Sequence, residues 1–133
     1  MKLPSLKLAL IGAGYVAEEH LKAIDTIDGL EVNLIYSRTL QKANALAEKF
    51  SIKSVVPEIA TFLSSAKKLD GILITVSPEN MFEICKTLIP LKIPLFIEKP
   101  PALSLREIEE LAESSLEFQT LNMVGFNRRF YSI

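Results

Sequence analysis

The chain has 133 residues, 49% of them apolar and only five glycine, enough for one compact domain over 1–133 and crowded for two. Formal net charge is −1, and the lysines and arginines are scattered without a basic stripe, so the electrostatic footprint of a nucleic-acid binder is missing. The lone cysteine, Cys85, cannot form an internal disulfide and reads as a buried, inert thiol suited to a reducing cytoplasm.

Lys2 and Lys7 before a short apolar stretch imitate a secretory leader, but Glu18, Glu19 and His20 follow at once, so no signal peptide is read. The remaining apolar runs fall far below the roughly 18 residues that a bilayer requires. A cytoplasmic location without membrane or metal partners is the expectation.

Leu6–Ile11 is a near-continuous apolar run, the pattern of a central parallel strand covered on both faces. The period then changes: Val16, Ala17, Leu21, Ile24 and Ile27 keep a helical stripe that Asp28-Gly29 closes. Val32, Leu34, Ile35 and Tyr36 mark a second strand over 30–37, and Ala43, Leu46, Ala47 and Phe50 mark the next helix. Val55-Val56 is a short third strand, Pro57 suits the first turn of a helix, and Ile59, Phe62 and Leu63 supply that helix with its buried face.

The fourth strand is expected over 72–76. Met81, Ile84, Cys85, Leu88 and Ile89 follow at helical spacing, with Pro78 before them and Pro90 ending the helix. Residues 93–97 read as strand five. Ser104 and Glu107 form a capping box opening a helix with Ile108, Leu111 and Ala112 inward, and 120–126 read as strand six. Strands joined by helical crossovers predict an α/β, doubly wound parallel sheet of the Rossmann type, strand order 3-2-1-4-5-6.

Gly12-Ala13-Gly14-Tyr15-Val16-Ala17 fits G-x-G-x-x-G/A between a strand and a helix. Gly12 permits the tight turn, Gly14 admits a pyrophosphate, Ala17 allows close packing, and the helix start at Tyr15 and Val16 offers free N–H groups to the anion. Without those flanks the pattern is only a tight turn. Ser37, twenty residues after Ala17, stands where an NAD-specific domain usually has an acidic residue for the ribose 2′-OH. Ser37 can donate to a 2′-phosphate and Arg38 can neutralise it, so the pair favours NADP over NAD; otherwise Arg38 is a solvated loop charge.

Thr75, Ser77 and Pro78 follow strand four, Glu98, Lys99 and Pro100 follow strand five, and Asn127 and Arg128 follow strand six. Ligands of open α/β sheets bind outside those carboxyl ends, so all are candidate cofactor contacts. Pro100-Pro101 turns the chain off the sheet just past Lys99 and aims its ammonium at the crevice; the plainer reading is a surface lysine beside Glu98.

In this order, "LALIGAGYVAEEHLKAI", "YSRTLQKANALAEKF", "LDGILITVSP", "IPLFIEKPPALSLREIEEL" and "VGFNRRF" resemble the N-terminal domain of the glucose-fructose oxidoreductase / inositol dehydrogenase / MocA family across essentially the whole chain. The resemblance implies an NAD(P)-dependent oxidoreductase moving hydride between nicotinamide and a sugar, polyol or related carbon, with Lys99 orienting the substrate hydroxyl and assisting its proton transfer. It also implies a second α/β domain that this chain lacks, so the active site is expected to be incomplete and the bare junction to self-associate or to bind the missing domain. The helix after strand four lacks the early histidine common in the family; His20, the only histidine, is read as packing or capping. The competing readings are a stand-alone nucleotide-binding or regulatory module without catalysis and an interaction protein that keeps only the fold.

Overall fold

A computed structural model describes residues 4–132; Lys2, weighed above as part of a leader, lies outside them. In chain order the elements are β1 (Leu6–Ile11), α1 (Tyr15–Ile24), β2 (Leu30–Tyr36), α2 (Leu40–Phe50), β3 (Ser54–Val56) and α3 (Ile59–Ala66). There follow β4 (Gly71–Ile74), α4 (Pro78–Leu88), β5 (Leu95–Ile97), α5 (Leu105–Phe118) and β6 (Asn122–Val124). The strands form one sheet in the order β3-β2-β1-β4-β5-β6, and every neighbouring pair is parallel.

The continuous apolar runs are explained by burial on both faces. Leu10, Ile35 and Leu73 face a core closed by Ala17, Leu21 and Ile24 of α1 and Ala43, Leu46 and Ala47 of α2. Ala9, Ile11, Ile72 and Ile74 face the other core, which α3, α4 and α5 close with Phe62, Met81, Cys85, Leu88 and Leu111. Thr120, one of two buried polar residues among those described, is satisfied by donating from Oγ1 to the Ile89 carbonyl at 2.6 Å.

The register places the functional edge. Ile11 is level with Tyr36 and Ile74, Ile74 with Ile97, and Ile97 with Val124. The next residue of each strand, in sheet order Ser37, Gly12, Thr75, Glu98 and Gly125, therefore stands on one rim at the carboxyl ends.

Several boundaries differ from the sequence pattern. α1 stops at Ile24 because the chain tightens, Thr26 and Ile27 donating to carbonyls three residues back, and Ile27 is left exposed. Pro57 precedes α3 rather than opening it; Glu58 is the N-cap, in extended backbone with φ −129°. Pro78 is inside the first turn of α4, and Pro90 sits in a 3-10 turn after that helix has ended at Leu88. β4 ends at Ile74, level with the last ladder residue of β5, so Thr75 and Val76 fall outside it; residues 93–94 precede β5, and residues 120–121 precede β6. On α5 only Leu111 is buried, while Ile108 and Ala112 are exposed.

The two faces are unequally covered. α1 and α2 leave part of β4, β5 and β6 bare on their side, where Leu73, Phe96 and Met123 line an apolar groove of about 480 Å³.

Candidate functional site

A second concavity, about 290 Å³, opens at the carboxyl rim between β1, β2 and β4 and is lined by Gly12, Gly14, Ser37, Arg38, Thr75 and Ser77 among others. The larger groove is almost wholly apolar and offers no helix N-terminus to an anion, so the smaller one is the candidate site.

The two glycines of the turn do different work. Gly12 has φ +105°, and a Cβ there would stand 2.6 Å from Thr75 Oγ1 and 2.8 Å from the Thr75 carbonyl. This glycine is required by the fold. Thr75 is buried, receives no choice of orientation, and donates from both its backbone N–H and its hydroxyl to the Ile11 carbonyl, each at 2.9 Å. Gly14 is the opposite case: its φ is −88°, and a Cβ would meet nothing within 4 Å. None of the described residues demands glycine at that position, whereas a ligand lying against the backbone would.

Gly14 caps α1 without a side-chain hydrogen bond, and the first helical bond runs from the Glu18 N–H to the Gly14 carbonyl at 3.2 Å. The N–H groups of Tyr15, Val16 and Ala17 thus lie ahead of the helical ladder, where the helix dipole adds partial positive charge. Ala17 is fully buried on the inner face of α1, as its packing role requires, while Tyr15 and Val16 are exposed. The open space over Gly14, beside a helix start without a capping side chain, fits the diphosphate of a dinucleotide.

At the β2 end, Ser37 Oγ accepts the Thr39 N–H at 3.1 Å, which shapes the loop and leaves its hydroxyl proton free to donate. Arg38 lines the cavity, and so do Thr39 and Lys42, two residues that the sequence reading did not select. Lys42 belongs to the first turn of α2, so its proximity to Arg38 follows from the loop being short. At the β4 end, Ser77 is the N-cap of α4 and its Oγ accepts from Asn80 Nδ2 at 2.7 Å. Asn80 was not anticipated either. Pro78 lies at the helix start beside this wall.

Glu98, Lys99, Asn127 and Arg128 do not line the 290 Å³ cavity. They lie farther along the same edge, after β5 and β6. Lys99 is exposed and precedes a cis peptide to Pro100. Glu98 is held by two contacts: Oε1 meets His20 Nε2 at 2.7 Å and Oε2 accepts the Lys99 backbone N–H at 3.0 Å. His20 is therefore a polar link between α1 and the end of β5, not merely packing. Asn127 and Arg128 are exposed in a 3-10 turn.

A parallel sheet in this order, with a glycine turn leading from β1 to a helix start at its centre, defines a dinucleotide-binding α/β domain. More particularly, the chain belongs to the GFO_IDH_MocA family, "Oxidoreductase family, NAD-binding Rossmann fold", whose model matches residues 6–126. It is 30% identical over 128 residues to D-glucoside 3-dehydrogenase of Escherichia coli strain K12, a match covering 94% of this chain and 36% of that protein. It is 28% identical to 4-carboxy-2-hydroxymuconate-6-semialdehyde dehydrogenase of a Sphingobium species, covering 94% of this chain and 39% of the other. Its fold superposes with a TM-score of 0.88, at 22% identity, on an Agrobacterium radiobacter oxidoreductase solved with NAD+, L-tartaric acid and magnesium, covering 94% of this chain and 36% of that one. The chain thus spans well under half the length of these relatives, and its fold is their NAD-binding part. Among the described residues no helix is long and apolar enough to cross a membrane.

Proposed function

We propose that this chain is the cofactor-holding part of an oxidoreductase that moves a hydride between a nicotinamide dinucleotide and a hydroxyl-bearing or carbonyl carbon of a sugar, polyol or related small molecule. Held by the glycine turn and the start of α1, the dinucleotide would supply the hydride acceptor for oxidation, and Lys99 would take the proton of the substrate hydroxyl as its carbon becomes a carbonyl. The observation that carries this reading is the shared rim: Gly12 and Glu98 each follow the last residue of a strand, so the glycine turn and Lys99 stand on one edge of the sheet. Membership of a dehydrogenase-rich family weighs against a stand-alone regulatory module.

Within the ribose end, Ser37, Arg38 and Lys42 support NADP over NAD, because two cations and a hydroxyl donor suit a 2′-phosphate. Asn127, Arg128 and the loop around Pro78 are the residues we assign to the nicotinamide half of the cofactor. Exposed Leu105, Leu116, Leu121, Met123, Phe126 and Phe130 support an association surface on the β6 side, for the rest of the enzyme or another copy.

Titration of the chain with NADPH and NADH, followed by nicotinamide fluorescence, tests the first part of the proposal. Binding of NADPH at least about 10-fold tighter than NADH is expected, a difference of about 1.4 kcal/mol. Failure to bind either cofactor would overturn the reading.

A further inference from the structure

The contact between His20 and Glu98 joins the two ends of the site. His20 sits on α1, the helix whose start faces the diphosphate, and Glu98 directly precedes Lys99. A carboxylate only accepts, so the 2.7 Å contact is a donation from His20 Nε2–H to Glu98 Oε1. The other oxygen, Oε2, accepts the Lys99 N–H at 3.0 Å, closing the turn that carries the amine. Two further contacts hold this arrangement. The His20 ring stands edge-on to Phe96, with centroids 5.6 Å apart and planes at 71°, which limits its rotation. On the β6 side, a Cβ on Gly125 would come within 3.2 Å of Glu98 Oε1 and 3.3 Å of the Phe96 ring, so only glycine leaves the carboxylate its full space. The side chains of His20 and Glu98 are 25% and 17% exposed, which shields the pair from much of the competition of water.

We infer that His20 is a positioning residue for Lys99, acting through Glu98: the imidazole holds the carboxylate, and the carboxylate holds the backbone of the turn from which the amine projects. The inference rests on the proposed role of Lys99 for its importance, but not for its test. It ties the helix that binds the diphosphate to the turn that presents the amine, so that the two ends of the crevice keep a set separation. Geometry of that kind matters because small displacements of a proton-transfer group are costly in rate.

Amide hydrogen exchange at Lys99, followed by NMR on the whole chain, reads the tether directly. In His20→Leu the Lys99 amide is expected to exchange at least about fivefold faster, while the amides of the central strand residues Leu10 and Leu73 and the affinity for NADPH stay within about twofold of the wild type. His20→Gln, whose Nε2 can donate from nearly the same place, is expected to restore slow exchange to within about twofold, which a merely space-filling role would not require. Should His20→Leu fail to fold, His20→Phe keeps a flat ring against Phe96 and carries the same test. Unchanged exchange at Lys99 in the apolar variants, or exchange in His20→Gln as fast as in them, would overturn the inference. The turnover of Lys99→Ala reads the functional proposal alone, so either idea can fail without the other.

Discussion

The two ends of the crevice are built in contrasting ways. At the β1, β2 and β4 end the chain encloses a cavity with backbone N–H groups, a helix start and side chains whose partners are already set, Thr75 on Ile11 and Ser77 on Asn80. At the β5 and β6 end Lys99, Asn127 and Arg128 are exposed, and the Glu98 carboxylate anchors the turn between His20 and the Lys99 backbone. The first end joins a local glycine turn to long-range anchors such as Thr75 on Ile11, 64 residues apart, and already has the shape of an anion seat. The second leaves Lys99 exposed on the rim with no enclosing cavity among the described residues, and the relatives are more than twice as long as this chain.

Substitutions can break that contrast. The largest effect is expected from Lys99→Ala in the complete enzyme: turnover should fall by about 10²–10⁴-fold, the usual worth of general acid–base catalysis, with NADPH affinity within about threefold. Stopped-flow and equilibrium titration separate the two quantities. Gly14→Val should do the reverse, weakening NADPH by about 100-fold or more by filling the space over the turn, equivalent to about 2.7 kcal/mol.

Gly12 and Gly14 sharpen the same comparison within a single turn. Gly12→Ala meets Thr75 and adopts an unfavourable φ, so chemical denaturation should show a loss of about 3 kcal/mol, with cofactor binding lost only as folding fails. Gly14→Ala should cost about 1 kcal/mol or less, the effect of alanine at a helix N-cap, while still reducing NADPH affinity measurably. Equal stability losses in the two would remove the distinction between a fold glycine and a ligand glycine.

Smaller effects follow at the ribose end and in the core. Arg38→Ala should weaken NADPH by about 10-fold or more and leave NADH within about threefold, since a hydrogen bond to a charged group contributes about 1.5–3 kcal/mol. Cys85 has no partner in either end of the site. Burial pushes its thiol up to about 12, above its ordinary value of 9.0, so the reactive thiolate is scarce at pH 8. A thiol reagent at that pH should label the folded chain hardly at all and the denatured chain readily.

Periodicity was enough for the number, type and order of elements, because parallel strands buried on both faces must be continuous apolar runs and right-handed crossovers restrict their arrangement. It was weaker at boundaries. Ile108 and Ala112 share the apolar spacing of Leu111, yet only Leu111 meets the core; a pattern records which residues can be buried, not whether a partner surface exists.

The sequence by itself determined the glycine turn, the strand-to-helix setting around it and the identity of the residues at the strand ends, since these depend on neighbours a few positions apart. Only the tertiary structure decided which glycine serves the fold, that Lys42 and Asn80 join the cavity, and that His20 reaches Glu98 across 78 residues. The physical reason is distance along the chain: a local pattern carries dihedral and hydrophobic preferences, whereas contacts between remote side chains exist only once register and packing have brought their elements together.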